Sequence, residues 1–366
     1  MELFVAGGVG EHGRNCFFVA GSSLPFLVDC GRMAEEGKDP YPHLEPEQIA
    51  SLGAVFLTHS HGDHTGALLW LRGRGYRGPI IASRECLRQL PFSEGPVMAL
   101  EALSADRQGR FQTLTFSWGR SGHCSGSVWY RFVREGRAFL FSGDYSESSS
   151  FYEVDPIRNQ EADLAVLDCA YGRREESFDR ACRAIFSWVD QHREGGPLLF
   201  PVPRFGRGFE LWRHLRERGC DLPFFADAEF MENFRHLSRE SFWIKKPLPV
   251  EIEGRGETMT LFSPSLEEGQ EPGRGVYFLS DPQLRKPPSQ HFAERVLRQG
   301  GHLLFTGTLE KGSYGEKLMG EGRADHLFYP VHLNFRQFRD LLSKNRFQRA
   351  LAYHSPDFGT RDVFHS

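Results

Sequence analysis

A chain of 366 residues with 40% hydrophobic residues is long enough for one large or two ordinary domains, which excludes disorder throughout the chain. Its formal charge of −4 argues against an extensive phosphate-binding surface, although two bound divalent cations would add positive charge locally. Seven cysteines without a CxxC pair give poor support to a disulfide framework or a cysteine-ligated structural zinc. We therefore expect reduced thiols in a cytoplasmic protein.

The N-terminal residues contain neither the basic region nor the continuous apolar region of a secretory signal. No apolar run approaches the roughly 18 residues that are needed to span a bilayer. The sequence therefore predicts a protein that has no membrane partner.

The first half of the chain is predicted to form short strands separated by turns that are rich in Gly, Ser and Pro. Residues 8–13 fit GxGxxG, but a strand rather than a helix follows them, which predicts a hairpin turn and no dinucleotide site. A helix is expected at residues 65–71, with Leu68 and Leu69 facing the core. The expected strands are 3–6, 16–20, 26–29, 54–57, 79–82, 111–116, 127–133, 138–142 and 164–167.

The pattern changes after about Gly172 to an alternation of strand, turn and helix, which is typical of a parallel sheet. The polar stretch 251–274 is predicted to be a surface excursion, and the chain ends with a helix at 334–344 and a strand at 350–353. The strands and helices expected between residues 173 and 330 are 178–191, 198–202, 209–218, 276–279 and 302–306.

Four metal-ligand side chains occur in Thr58-His59-Ser60-His61-Gly62-Asp63-His64, directly after a predicted buried strand. Residues i and i+2 of an extended segment point the same way, so His59 and His61 can approach one metal. Asp63 and His64 lie at the following turn and can reach a second metal. Imidazole and carboxylate ligands suit zinc and neighbouring divalent metals. The alternative, a histidine-rich surface loop, fits poorly between a buried strand and an apolar helix.

Four ligands in one loop cannot complete two metal sites, so further ligands are expected at strand ends elsewhere. His123 lies in a turn of small residues before a predicted strand, Asp144 ends another strand, and His354 follows the last one. Each residue alone could be an ordinary turn residue. Together with the histidine motif, they predict a complete two-metal centre.

This order of motifs resembles the metallo-β-lactamase superfamily and, within it, the β-CASP nucleases, which include the pre-mRNA cleavage endonuclease and ribonuclease J. Asp29 in LVDCG matches the first acidic position of the family, which braces the histidine loop. Asp168 in VLDCAYG resembles the family's A acid, and His332 and His354 match the B and C histidines. The resemblance covers nearly the whole chain.

The resemblance implies an αββα metallo-β-lactamase sandwich with an inserted β-CASP α/β domain. The sandwich would comprise residues 1–172 and 331–366, and the insert residues 173–330. The motifs PVPRFGRGFEL and GTLEKGSYG are similar to those that open and close such an insert. The active site is expected in a cleft between the two domains.

The resemblance also assigns roles. Asp144 would bridge two divalent metal ions, with zinc preferred and manganese as the alternative. One ion would be held by His59, His61 and His123, and the other by Asp63, His64 and His354. The predicted catalytic residues are Asp63, Asp168 and His332.

A metal-bridging hydroxide would be the nucleophile, and His332 paired with Asp168 would be the general acid for the leaving oxygen. The B histidine of relatives usually lies in a Ser-x-His-x-Asp setting, whereas residues 329–334 here read YPVHLN. In ribonuclease J that neighbourhood helps to bind a 5′-phosphate. The difference leaves the choice between endonuclease and 5′-exonuclease open.

Basic residues of the two Gly-rich motifs are candidates for binding phosphate, namely Arg204, Arg207 and Lys311. A solvated helix face is preferred for Arg213, Arg216 and Arg218.

The function favoured by the sequence is an RNA endonuclease, because DNA-directed relatives commonly lack the C histidine. Its predicted partner is single-stranded RNA, and a homodimer is a further expectation. Two alternatives stay open. One is a small-molecule metallo-hydrolase acting on an ester, a thioester or a cyclic phosphodiester, and the other is a non-enzymatic RNA-binding partner subunit.

Overall fold

The computed structural model describes residues 1–21, 23–35, 37–91, 95–247, 259–265 and 271–365. The chain divides into two compact units. Unit 1 comprises Met1–Ser148, Glu153–Glu175 and Val331–Ser366, and unit 2 comprises Ser149–Tyr152 and Glu176–Pro330. Most of the predicted surface excursion at 251–274 lies outside the described residues. Among the helices that are described, none combines the length and the apolar character needed to cross a membrane.

Unit 1 contains sixteen of the described strands, together with six helices. The strands are β1 (Glu2–Gly7), β2 (Cys16–Ala20), β3 (Phe26–Val28), β4 (Ala54–Phe56), β5 (Ile80–Ala82), β6 (Val97–Ala99), β7 (Ser104–Ala105), β8 (Gln108–Phe111), β9 (Leu114–Arg120), β10 (Val128–Arg134), β11 (Arg137–Phe141), β12 (Glu161–Ala162), β13 (Leu164–Asp168), β20 (Arg346–Phe347), β21 (Ala350–Tyr353) and β22 (Val363–Phe364). The helices are α1 (Pro46–Ser51), α2 (Gly62–Thr65), α3 (Leu68–Gly73), α4 (Arg84–Gln89), α5 (Leu100–Leu103) and α11 (Phe335–Ser343).

Unit 2 contains the remaining described elements, which include one 3-10 turn at Ser241–Trp243. Its strands are β14 (Pro197–Pro201), β15 (Phe224–Ala226), β16 (Thr260–Leu261), β17 (Gly275–Leu279), β18 (His302–Phe305) and β19 (Asp325–His326). Its helices are α6 (Phe178–His192), α7 (Arg207–Glu217), α8 (Ala228–Arg239), α9 (Pro287–Arg298) and α10 (Tyr314–Gly320).

Two large sheets form the centre of unit 1. The first has six strands in the order β1-β2-β3-β4-β5-β6, and the second has eight in the order β22-β21-β13-β11-β10-β9-β8-β7. In the second sheet β11, β13 and β21 are parallel, and β10 runs antiparallel to both of its neighbours, β9 and β11. Consequently β9, β11, β13 and β21 all end at the same edge of this sheet.

The facing sides of these two sheets are aromatic. Phe26 of β3 and Phe56 of β4 both pack against Phe132 of β10, with ring centroids 4.8 and 4.9 Å apart. Phe17 of β2 meets Tyr353 of β21 edge to face at 5.4 Å. Such pairs bury large apolar area and add directional ring contacts, so they hold the sheets face to face.

Helices cover the outer side of each sheet. Side chains alternate between the two faces of a strand, so each strand also places apolar side chains on the outer face, where they pack against a helix. Leu27 and Val55 of the first sheet share a core with Leu68 of α3. Leu167 of the second sheet shares a core with Phe338 of α11. The resulting order of helix, sheet, sheet and helix confirms the predicted αββα fold class.

Unit 2 is built on a sheet of the order β16-β15-β17-β14-β18-β19, in which every pairing is parallel. The central strands β14 and β17 are buried along their whole length, as continuous apolar strands of parallel sheets usually are. Leu199 and Tyr277 pack against Phe292 of α9 in the core. The predicted alternation of strand and helix is confirmed here.

Three local predictions are wrong. The helix expected at residues 65–71 is interrupted, because Ala67 N donates to Cys30 O at 3.0 Å instead of continuing the helix, and Leu69 is consequently 51% exposed. The strand expected at residues 111–116 is two strands, β8 and β9, with Gln112 at a φ of 53° in the turn between them. Arg213 is buried rather than solvated, since its guanidinium lies 4.9 Å from the ring of Phe151.

Other local predictions are confirmed. β1 and β2 pair antiparallel, so residues 8–13 form a hairpin turn, and three of the glycines in it have φ between 79° and 93°. Arg216 on α7 and Arg218, which directly follows this helix, are exposed.

A carboxylic acid is buried inside unit 2. Glu210 of α7 accepts hydrogen bonds from the hydroxyls of Ser149 at 2.5 Å and Tyr329 at 2.8 Å. Burial raises the pKa of Glu210 to about 7, although both hydrogen bonds and the charge of Lys245 act in the opposite direction. The folded protein therefore retains a proton that the unfolded chain would already have lost near neutral pH.

This buried acid should make the protein less stable as the pH rises. With the pKa at 4.5 when unfolded and about 7 when folded, its contribution is complete below pH 4.5 and lost as the pH passes 7. In the wild-type protein, this group should lower the free energy of unfolding by about 2–3 kcal/mol between pH 5 and 8. Glu210→Gln should abolish that decrease, which urea denaturation at several pH values measures. Glu217→Gln, on the exposed end of the same helix, is the control. Identical pH profiles for wild type and Glu210→Gln would contradict this account.

Candidate metal centre

The histidine motif follows β4 and is braced by one buried carboxylate. Asp29 Oδ1 accepts from Thr58 N at 2.7 Å, and Asp29 Oδ2 accepts from the Thr58 hydroxyl at 2.8 Å. His64 Nδ1 lies 2.7 Å from the same Oδ2. Asp29 has a φ of 61°, a left-handed conformation that few residues other than glycine adopt. A single side chain therefore fixes both the start and the end of the motif.

Four further candidate site residues lie at one edge of the second sheet. Asp144 follows β11, Asp168 ends β13, and His354 follows β21, and these three strands are parallel neighbours. His123 follows β9, which ends at the same edge. Residues that are far apart in sequence thus meet because their strands end side by side.

The first group of ligand atoms contains His59, His61, His123 and Asp144, whose donor atoms all lie within 4.8 Å of one another. His59 Nε2 and His123 Nε2 each lie 3.5 Å from Asp144 Oδ2. His123 Nε2 is also 3.2 Å from His61 Nδ1. These three imidazoles therefore face a common point beside one carboxylate oxygen.

The second group contains Asp63, His64, Asp144 and His354, again with donor atoms within 4.8 Å of one another. His64 Nε2 lies 3.1 Å from Asp144 Oδ1, and His354 Nε2 lies 3.0 Å from Asp63 Oδ2. Asp144 therefore presents one oxygen to each group. The structure brings the seven residues together in the same two sets into which the family resemblance divides them.

Two buried nitrogens test whether cations fit these groups. His59 Nε2 and His354 Nδ1 are shielded from solvent, and although oxygens of Asp144 lie 3.5 and 3.2 Å from them, neither nitrogen makes a hydrogen bond of good geometry with the described residues. Leaving buried polar atoms unpaired is costly, whereas a metal ion would use such nitrogens as ligands. The donor set of imidazole and carboxylate is that of divalent metal ions, so the residues fit the metals that the family implies.

Electrostatics within the centre favour ionised carboxylates. Burial would raise the pKa of Asp63, but the nearby His64 and His354 outweigh it and hold that pKa well below its usual range. For His354 burial acts in the opposite direction and would lower the pKa, but the nearby Asp144 and Asp63 raise it to about 10. The carboxylates are therefore negatively charged and suited to attract cations.

Asp168 and His332 form a separate pair beside the second group. His332 Nδ1 lies 2.8 Å from Asp168 Oδ2, and 3.9 Å from Asp144 Oδ2. Asp168 is completely buried, and its Oδ2 also accepts from Tyr145 N at 2.9 Å. Because the carboxylate accepts at Nδ1, the proton of the imidazole is fixed on that nitrogen, and Nε2 points the other way.

The predicted phosphate-binding residues lie in unit 2. Arg204 and Lys311 are exposed, whereas Arg207 is half-buried and its Nε donates to the Thr306 hydroxyl at 3.2 Å. The Arg207 guanidinium covers Gly307, where an added Cβ would lie only 2.1 Å from Nη2. Arg207 therefore joins the two Gly-rich motifs, a contact that the sequence did not predict.

Four neighbours of the ligands were missed by sequence reasoning. The Tyr353 hydroxyl donates to Asp144 Oδ1 at 3.0 Å, and the Tyr171 hydroxyl accepts from Val331 N at 2.5 Å, one residue before His332. The others are Thr58, which binds Asp29, and Asn15, which binds the Asp63–His64 turn. The only signal in the sequence is that these residues lie within or next to the recognised motifs.

Comparison with known families gives a match over more than half of the chain. A family model described as the Metallo-beta-lactamase superfamily matches residues 9–218. The superfamily predicted from the histidine motif is therefore confirmed. A solved structure of a protein of unknown function from Enterococcus faecalis has a TM-score of 0.60 and 10% identity, covering 97% of this chain and 93% of that one. This likeness supports the fold alone.

Curated relatives carry names connected with RNA. A ribonuclease of Thermus thermophilus is 30% identical over 247 residues, which cover 61% of this chain and 56% of that protein. Transcription termination factor FttA of Methanothermobacter thermautotrophicus is 28% identical, over 67% of this chain and 45% of that protein. Probable RNase MJ4 of Methanocaldococcus jannaschii is 23% identical, over 88% of this chain and 82% of that protein. The chain spans about half the length of the first two of these relatives. They are β-CASP family members, and the resemblance to that family is confirmed.

Removal of the bracing carboxylate should be strongly destabilising even without metal. Asp29→Ala leaves the Thr58 amide, the Thr58 hydroxyl and His64 Nδ1 buried without their acceptor, which should cost about 3–5 kcal/mol. The measurement is chemical denaturation in the presence of a chelator. Asp163→Ala, which removes one half-buried acceptor of the Ala138 amide, is the control, and its loss should be near 1 kcal/mol. Equal losses in the two variants would refute the bracing role.

Proposed function

Because the chain belongs to the metallo-beta-lactamase superfamily, we propose that it is a metal-dependent hydrolase that cleaves phosphodiester bonds, and specifically an RNA endonuclease. The observation that carries this proposal is the Asp168–His332 pair beside the two ligand groups. Hydrolysis at phosphorus expels an oxygen that must be protonated, and a positioned imidazole can supply that proton.

The proposal assigns two divalent metal ions to the centre, with zinc preferred because imidazole ligands predominate. Such ions, when bound, act as Lewis acids that activate water and stabilise charge on a phosphoryl oxygen. One ion would be held by His59, His61 and His123, the other by Asp63, His64 and His354, with Asp144 shared by both. Asp63, which is the most exposed of the three carboxylates at 30%, would also border the reacting group.

His332 is proposed as the general acid, with Asp168 as its positioning partner. With His332 Nδ1 held by the Asp168 carboxylate at 2.8 Å, Nε2 is the nitrogen left to donate a proton to the leaving oxygen. The Tyr171 hydroxyl accepts from His332 N at 3.1 Å, which fixes the backbone from which the imidazole projects. His332 is therefore held at both its backbone and its ring.

Single-stranded RNA is the proposed substrate, because relatives are named as ribonucleases and the C histidine is present as His354. Arg204, Arg207 and Lys311 are proposed to bind its phosphates. Unit 2 would be the inserted β-CASP domain, predicted at residues 173–330. A cytoplasmic location and a homodimer remain predictions from the sequence.

Purified protein loaded with zinc or manganese should cleave single-stranded RNA. His332→Ala and Asp168→Asn should each lower kcat by about 10²–10⁴-fold, the usual range for loss of general acid catalysis, while both variants keep their metal content. His291→Ala, at an exposed histidine far in sequence from the motifs, is the control and should retain full activity. Turnover of a small ester with no effect of Asp168→Asn, and no cleavage of RNA, would instead indicate the small-molecule hydrolase.

The mode of attack can be read from the products. We expect internal fragments from end-labelled RNA, at equal rates for substrates with a 5′-phosphate, a 5′-triphosphate or a 5′-hydroxyl. The reason is that residues 329–334 lack the small hydroxyl residue and the acidic residue that flank the B histidine of the 5′-phosphate-binding relatives. Release of mononucleotides from 5′-phosphorylated RNA alone would reject the endonuclease proposal in favour of an exonuclease.

A further inference from the structure

A completely buried asparagine lies against the second ligand group. Asn15 precedes β2, and its Nδ2 is 2.8 Å from His64 Nε2 and 3.4 Å from Asp63 Oδ2. Its backbone N donates to Asp63 O at 2.8 Å, and its carbonyl oxygen accepts from Gly31 N at 3.0 Å. One residue from the β1–β2 hairpin therefore binds both the backbone and the side chains of the metal-binding turn.

The contact to His64 restricts the orientation of its ring. Asp29 binds Nδ1 on one side, and Asn15 approaches Nε2 on the other. Nε2 is also the ring atom that faces the carboxylates of Asp144, at 3.1 Å, and Asp63, at 3.6 Å. The imidazole is thus held with its metal-binding nitrogen toward the carboxylates of the second group.

The side-chain oxygen of Asn15 indicates that this residue does not primarily stabilise the fold. Asn15 Oδ1 is buried and finds no hydrogen-bond partner among the described residues. It packs against Gly8, where an added Cβ would lie 2.5 Å from this oxygen. An unpaired buried carbonyl costs stability, so the value of the amide lies in the contacts of Nδ2.

We infer that Asn15 is a positioning residue for the second metal ion. Its amide N–H groups hold the Asp63 carboxylate and the His64 ring in the orientation in which both face the same point. When the lone pair of His64 Nε2 is used by a cation, Asp63 Oδ2 remains as an acceptor for the amide. This inference rests on the two-metal centre of the proposed function, but it does not depend on RNA as the substrate.

Zinc titration of the chelator-treated full chain tests this role. Asn15→Ala should bind the first zinc as tightly as wild type, because Asn15 contacts His64 and Asp63 of the second group, whereas the nitrogens of His59 and His123 face Asp144 Oδ2. Its second zinc should bind about 10–100-fold more weakly, the usual effect of removing a residue that orients a ligand. Equilibrium dialysis with metal analysis gives both affinities, and a cobalt titration followed by visible absorption gives an independent signature of each site.

Two further variants keep the test decisive. Asn345→Ala removes another buried asparagine, whose amide donates only to the carbonyls of Ile157 and Leu341, and should keep both zinc affinities. Asn15→Ser retains a shorter donor and should lose less of the second affinity than Asn15→Ala. Wild-type binding of the second zinc by both Asn15 variants would overturn the inference, as would equal weakening of both sites. Two bound zinc ions without cleavage of RNA would reject the proposed function and leave this inference intact.

Discussion

The parallel pairing of β11, β13 and β21 is the constraint on which the candidate centre depends. Residues 144, 168 and 354 are distant in sequence, yet neighbouring parallel strands end at one edge, so their side chains meet there. The aromatic packing between the two sheets then sets the histidine motif of the first sheet opposite this edge. The chemistry of the centre is therefore a consequence of strand register and sheet packing.

Asp144 links the two groups of ligands through both its position and its negative charge. It is buried, and each of its oxygens faces a different group of ligands. Burial would raise its pKa, but the histidines that surround it, with His64 first, hold that pKa well below the usual range. An isolated carboxylate could not remain ionised in such an environment, whereas one surrounded by cations or imidazolium groups can.

The ligand cluster could be predicted because its members lie in local motifs, and the fold class followed from the resemblance of those motifs to a known family. The spacing of His59 to His64 and the apolar strands before Asp144 and His354 can be recognised without coordinates. The neighbours Asn15 and Tyr353 could not be predicted, since their roles arise only when separate strands come together. Leu69 was misplaced for a similar reason: the bond from Ala67 N to Cys30 O interrupts the helix, and such a bond has no local signature.

The packing of Arg207 over Gly307 makes the two Gly-rich motifs of unit 2 a single physical module. The guanidinium occupies the space that any side chain at position 307 would need, and its Nε is bound to Thr306. A side chain introduced at position 307 would require the Arg207 guanidinium to move and would disturb its bond to Thr306. A chimera that takes residues 204–208 and 306–308 from the same parent keeps this contact between the two motifs.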